Sequence, residues 1–145
     1  MSGPRLLLVE PQAVMRSAVA SVATEVYRTD HGLEVHPVSS AVRAAELLAT
    51  RSCELLFVAL DDAGHALALL EALRAGTLKA AIDTPVVVST PQCDARLAAR
   101  LKALDVVRVL LTPYKARTVI EAVGQALGRH QSALQRQLRE LGEPG

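Results

Sequence analysis

An α/β fold built on a five-stranded, parallel, doubly wound sheet is predicted for this chain by three observations. Short apolar runs alternate with helical patterns five times along 145 residues. The runs are apolar at successive positions, which suits strands covered on both faces by helices. Aromatic residues make up only 2% of a chain that is 50% hydrophobic, so the core has to be assembled from Leu, Val and Ala. A chain of this length forms a single domain able to bury a core without disulfides or metals.

The first strand is predicted at Arg5 to Val9. Pro11 then opens a helix with Val14, Ala18, Val22 and Val26 on one side, proline being tolerated in a first turn where its missing N–H removes no helical bond. Gly32 stops that helix, Leu33 to Val38 reads as a second strand, and Ser39 or Ser40 caps a helix carrying Val42, Ala45, Leu48 and Ala49. Glu54 to Leu60 reads as the third strand. The turn Asp61-Asp62-Ala63-Gly64 leads into a Leu/Ala helix expected from about His65 to Lys79. A fourth strand, Thr84 to Ser89, is broken by Thr90-Pro91; a helix from about Gln92 to Ala103 and a fifth strand, Val106 to Leu111, follow. The last helix starts near Lys115. Strict alternation implies right-handed crossovers, and a site beyond the carboxyl ends of the central strands.

Composition removes several function classes. Sixteen Lys and Arg against fifteen Asp and Glu leave a formal charge of +1, with no basic stripe interleaved with aromatics, so no nucleic-acid contact is expected. Glu10 and Arg16 interrupt the apolar amino-terminal stretch, and no run approaches the ~18 apolar residues of a membrane span. Cys53 and Cys93 lack C-x-x-C spacing and read as reduced thiols, which points to the cytoplasm. His31, His36, His65 and His130 have no metal-binding spacing, and Gly64, Gly76, Gly124 and Gly128 make no phosphate-cradling pattern. Ser17 and Ser21 belong to no recognisable Ser-His-Asp arrangement. Neither a metal, a cofactor nor an enzymatic activity is expected.

Four segments, in order, resemble the receiver domains of bacterial two-component response regulators, over about residues 5 to 129. In Val9-Glu10-Pro11-Gln12-Ala13-Val14-Met15-Arg16, Glu10 takes the first of the family's two acidic positions, Pro11 replaces the second, and Met15-Arg16 is kept. Aligning Glu54-Leu55-Leu56-Phe57-Val58-Ala59 with the family's third strand puts Ala59 at the phosphoaccepting aspartate. Thr90 keeps the hydroxyl after the fourth strand, whereas Thr112 stands in place of the lysine before Pro113 and Tyr114. Val109 aligns with the aromatic that relays the family's switch. The resemblance implies a receiver-type, flavodoxin-like sheet, and a degenerate phosphorylation pocket made of Glu10, Pro11, Ala59, Thr90, Thr112 and Pro113.

The losses have physical consequences for the chemistry the resemblance implies. Ala59 offers no nucleophile, Pro11 no carboxylate for a hard cation, and Thr112 no charge to pair with a phosphoryl oxygen. The expected function is therefore that of a pseudo-receiver, regulating by protein contact without phosphorylation. The alternative is an atypical active receiver in which Glu10 with Asp61 or Asp62 forms an acidic patch, binding a cation and accepting a phosphoryl group. Asp61 and Asp62 also read as solvated turn residues that cap the following helix. The Thr112-Pro113 peptide is open between cis and trans.

The last helix runs longer than a small α/β domain needs. Val119, Ile120, Val123, Ala126 and Leu127 suit packing on the sheet, and Leu134, Leu138 and Leu141 continue the apolar line. Leu127, Leu134 and Leu141 recur every seven residues, but His130 and Gln137 occupy the complementary positions, so a short coiled contact is expected rather than a strong zipper. These features divide the chain into a receiver-like domain, 1–129, and a helical extension with a helix-breaking end, 130–145. The leucines are expected to centre an interaction surface, a dimer or a contact with a protein partner, with Arg96, Arg100, Arg117, Gln131 and Arg136 as polar rim and Tyr114 in the adjoining loop. Two alternatives are that the leucines fold back on their own domain, and that the helix leads to an output domain of a longer regulator.

Overall fold

The computed structural model describes residues 3–142. Strands and helices alternate as β1 (Arg5–Val9), α1 (Ala13–His31), β2 (Glu34–Val38), α2 (Ala41–Leu48), β3 (Leu55–Ala59), α3 (His65–Ala75), β4 (Val86–Thr90), α4 (Ala95–Ala103), β5 (Arg108–Leu111) and α5 (Ala116–Gly142). The strands make one sheet in the order β2-β1-β3-β4-β5, and every pairing is parallel. This is the predicted fold class. Of the expected end Gly142-Glu143-Pro144-Gly145, Gly142 closes α5 and residues 143–145 lie outside the described residues.

Successive side chains of a strand point to opposite faces, and here both faces are buried. Leu6, Leu8, Leu55, Phe57, Val87 and Leu110 pack under α1 and α5, against Val19, Ala23, Val119, Val123 and Leu127. Leu7, Val9, Leu56, Val58, Val86 and Val88 meet the other layer through Ala44, Leu48, Leu69, Leu73 and Leu101 of α2, α3 and α4. Each such Leu or Val buried in full stabilises the fold by roughly 1.5–3 kcal/mol, so the central strands β1, β3 and β4, buried on both faces, hold two helix layers together.

Two predicted helix faces are corrected in part, for Val22 of α1 and Ala45 and Leu48 of α2 do pack on the core. In α1 the buried residues are Val19 and Ala23, whereas Val14 is 82% exposed and Val26 38%. In α2 they are Ala41, Ala44 and Leu48, with Val42 facing solvent. Both helices carry Ala and Val on more than one side, so hydropathy alone does not choose the face. Pro11 lies outside α1, which begins at Ala13 with Gln12 as its N-cap residue.

Other ends shift for local reasons. Ser40 caps α2, its hydroxyl accepting the Arg43 N–H at 3.1 Å, and Asp94 caps α4 by accepting the Leu97 N–H at 2.8 Å, so α4 starts later than expected. The helix expected to reach Lys79 stops at Ala75, because Gly76 takes the left-handed conformation (φ 80°) that closes it. Below the sheet, the Arg74 guanidinium of α3 donates to the carbonyls of Leu104 (2.8 Å), Ile82 (2.7 Å) and Thr84 (2.8 Å). One side chain thus ties α3 to the segments that enter β4 and β5. α5 crosses residues 129 and 130 as one unbroken helix. Among the described residues, no helix is long and apolar enough to cross a membrane.

Candidate functional site

At the carboxyl ends of β1, β3, β4 and β5 lies a pocket of about 420 Å³. It brings together all six residues named for the degenerate phosphorylation pocket: Glu10, Pro11, Ala59, Thr90, Thr112 and Pro113. The parallel register explains the convergence, since Val9 pairs with Val58, Ala59 with Ser89, and Thr90 with Leu111. Gln12, Met15, Leu60, Ser89 and Pro91 complete its lining.

Glu10 is the buried acid of this pocket, only 6% exposed. Its backbone N–H donates to the Val38 carbonyl at 3.1 Å, and its Oε2 accepts the Gln12 N–H at 3.2 Å, which turns the chain from β1 into α1. Arg16, one turn into α1, donates to the carbonyls of Glu10 (2.8 Å) and Pro11 (3.2 Å) and fixes that turn from the helix side. The Thr90 hydroxyl donates to the Gln92 carbonyl at 2.9 Å, and the Thr112 N–H to the Thr90 carbonyl at 3.0 Å. The Thr112-Pro113 peptide is cis, which closes the question the sequence left open.

Asp61 and Asp62 do not join Glu10 in lining the pocket. Asp61 turns toward α3, where Oδ1 accepts the Ala66 N–H at 2.7 Å and Oδ2 the His65 N–H at 3.2 Å, and it lies 3.4 Å from the His65 ring. It does the capping that Gly64, the N-cap residue, has no side chain to do. Asp62 is exposed. A receiver-type Mg²⁺ site requires several oxygen donors around one ion. Pro11 and Ala59 supply no carboxylate, and among the described residues no three His, Cys, Asp or Glu side chains gather to hold a metal. The residues present do not fit that ion.

Tyr114, expected in the loop adjoining the interaction surface, faces inward. Its ring packs on Phe57 at 6.3 Å between centroids, and its hydroxyl is enclosed with no hydrogen-bond partner among the described residues. Burial, followed by the nearby charge of Glu10, pushes its phenol up to about 12.

Of the remaining residues of the predicted interaction surface, Arg100 and Gln131 turn to different helices. Arg100 pairs with Glu71 of α3 on one side of the sheet, whereas Gln131 Nε2 lies 3.1 Å from Nδ1 of His31 in α1 on the other. Arg96, Arg117 and Arg136 are exposed. Leu134, Leu138 and Leu141 are 44%, 67% and 85% exposed, so they do not fold back on their own domain. Sequence reasoning missed Ser89 and the clamp made by Arg16. For Arg16 a signal existed in the retained Met15-Arg16 pair; for Ser89 the buried strand gave none.

No protein-family model matches the chain, and no curated protein matches it. Solved structures do. The receiver domain of an HD domain-containing protein from Pseudomonas fluorescens Pf-5 superposes with a TM-score of 0.73 at 23% identity, covering 90% of this chain and 98% of that one. A CheY-like response regulator receiver domain protein from Methanospirillum hungatei JF-1 gives 0.73 at 16% identity over 91% and 99% of the two chains. A response regulator from Thermotoga maritima gives 0.71 at 20% identity over 87% and 98%. At these identities the likeness establishes the receiver fold.

Proposed function

We propose that this chain is a pseudo-receiver: a signalling or regulatory module that keeps the receiver fold and acts through protein contact without taking up a phosphoryl group. The observation that carries this reading is the pocket itself, where Pro11, Ala59 and Thr112 converge at the positions of a carboxylate, a nucleophile and a cation, and Glu10 is the only charged side chain in the lining. Phosphoryl transfer to a carboxylate needs the nucleophile beside a metal that neutralises the incoming oxygens. Neither is furnished by these residues. The competing reading, a cation and phosphoryl site made from Glu10 with Asp61 or Asp62, requires Asp61 to abandon two backbone N–H groups at the start of α3. That exchange would uncap the helix at a cost of about 1 kcal/mol.

Contact with a partner, or with a second copy, is assigned to the projecting part of α5, where Leu134, Leu138 and Leu141 stand exposed on a continuous helix. The proposed setting is the cytoplasm. Beryllofluoride with Mg²⁺, followed by amide NMR of the full chain, tests the reading. Unchanged signals at Glu10, Leu60 and Thr90 are expected; saturable shifts at those three positions would count against it.

A further inference from the structure

We propose that the pocket at the carboxyl ends of β1, β3 and β4 binds a free organic primary ammonium ion, with the Glu10 carboxylate as its counter-charge. The proposal goes beyond the pseudo-receiver reading, and it stands or falls separately. Glu10 is 6% exposed, and none of the ion pairs among the described residues includes it. Among the described residues, the only hydrogen bond its carboxylate accepts is the 3.2 Å contact from Gln12 N–H. Arg16, the cation on the adjacent helix turn, spends its guanidinium on the Glu10 and Pro11 carbonyls. A buried carboxylate left without a cation is costly, and a cation delivered to it regains much of that cost.

The pocket it faces has the size and the mixed character for such a guest. About 420 Å³ is room for a small molecule, and Ala59 opens the floor where a longer side chain would fill it. Thr112 and Ser89 offer hydroxyl oxygens that can accept from an ammonium group, whereas Leu60 and Met15 offer apolar wall for a short alkyl body. A divalent metal is a poorer match, because one carboxylate and neutral hydroxyls do not meet the demand of a hard dication for charged oxygen ligands. A monocation carrying its own apolar surface satisfies both halves of the lining.

The test titrates n-butylammonium chloride into the full ¹⁵N-labelled chain at constant ionic strength, reading the amides of Gln12, Ser89, Thr90 and Thr112. Saturable shifts confined to this pocket are expected, with no comparable response to 1-butanol or to MgCl₂. Glu10→Gln should weaken binding by about tenfold or more, the scale of a lost charge-assisted hydrogen bond. Thr112→Lys, which tethers an ammonium group beside Glu10, should abolish it by occupying the site from within. Shifts that fail to saturate, an equal response to 1-butanol, saturable Mg²⁺ binding at the same amides, or undiminished binding in a folded Glu10→Gln protein would each overturn the proposal. If Glu10→Gln does not fold, undiminished binding to Thr112→Lys overturns it alone. A chain that takes no phosphoryl group and no ammonium ion would refute this site and leave the pseudo-receiver reading intact.

Discussion

The Tyr27 hydroxyl of α1 donates to the Ile120 carbonyl of α5 at 2.6 Å, across 93 residues of sequence. The bond is possible because residue 124 is glycine: a Cβ there would stand 2.6 Å from the same hydroxyl oxygen. Tyr27 therefore reaches over α5 through a gap in that helix. The contact fixes α1 and α5 side by side on one face of the sheet, and so sets the direction in which α5 projects beyond it.

Gly124→Ala should displace that hydroxyl and destabilise the fold slightly, by a few tenths of a kcal/mol up to about 1, the loss of the partly buried hydrogen bond and the displacement of the ring outweighing alanine's better helix propensity. In a Tyr27→Phe background the same substitution should instead stabilise, by up to ~1 kcal/mol, since the clashing oxygen is gone. Urea denaturation of the four proteins of this cycle measures both signs. Additive effects would show that the two residues do not share the contact.

Arg74→Met should cost on the order of 2–4 kcal/mol, because three carbonyls lose a charged donor while the alkyl stem is kept. Arg74→Lys should not restore stability, since one ammonium cannot reproduce the planar fork that reaches Leu104, Ile82 and Thr84 together. Thermal melting of the two variants beside the parent decides the matter.

Alkaline pH should destabilise the protein in a defined window. Burial raises the Cys53 thiol from 9.0 to about 12 and the Tyr114 phenol from 10.0 to about 12, so the folded chain holds protons that the unfolded chain releases first. Stability from these groups is whole below about pH 9 and is lost as pH climbs toward 12. Tyr114→Phe should flatten the part of this slope above pH 10. At neutral pH it should also raise stability by about 1 kcal/mol, because the removed hydroxyl is enclosed without a partner among the described residues. Urea denaturation at pH 7 and across the alkaline range reads both effects.

Replacing Leu134, Leu138 and Leu141 together by Gln should leave folding stability nearly unchanged, since all three side chains are exposed in the single chain. Any association made through α5 should disappear. Analytical ultracentrifugation over ~1 to 100 µM, a range that brackets the weak contact expected of a short coiled pair, compares the parent with the variant. Identical association in both proteins would remove these leucines from the contact.

The alternations were legible because the central strands β1, β3 and β4 are buried on both faces, and Leu55, Leu56, Phe57 and Val58 admit hardly any other reading. The pocket was legible for a related reason: its residues follow the strands directly, so that placing Val9, Val58 and Ser89 placed Glu10, Ala59 and Thr90 as well. Helix faces were not. In α1 the expected stripe Val14, Ala18, Val22, Val26 and the stripe Val19, Ala23, Tyr27 are both spaced for a helix; Val22 packs on the core from the first, while the burial of Val19 and Ala23 and the Tyr27 hydrogen bond to Ile120 set the face. Asp61 reads from sequence both as a turn residue capping the next helix and, alternatively, as part of an acidic patch with Glu10. The open N–H groups of His65 and Ala66 decide it.

The most direct test of phosphorylation-independence is the intact mass of the full chain after incubation with acetyl phosphate and Mg²⁺, read beside an Asp61→Asn, Asp62→Asn double variant. The pocket built from Glu10, Pro11, Ala59 and Thr112 predicts an unmodified mass for both proteins. A stoichiometric phosphoryl adduct on the parent that is absent from the double variant would contradict it, and would place the acceptor on Asp61, which now caps α3, or on Asp62.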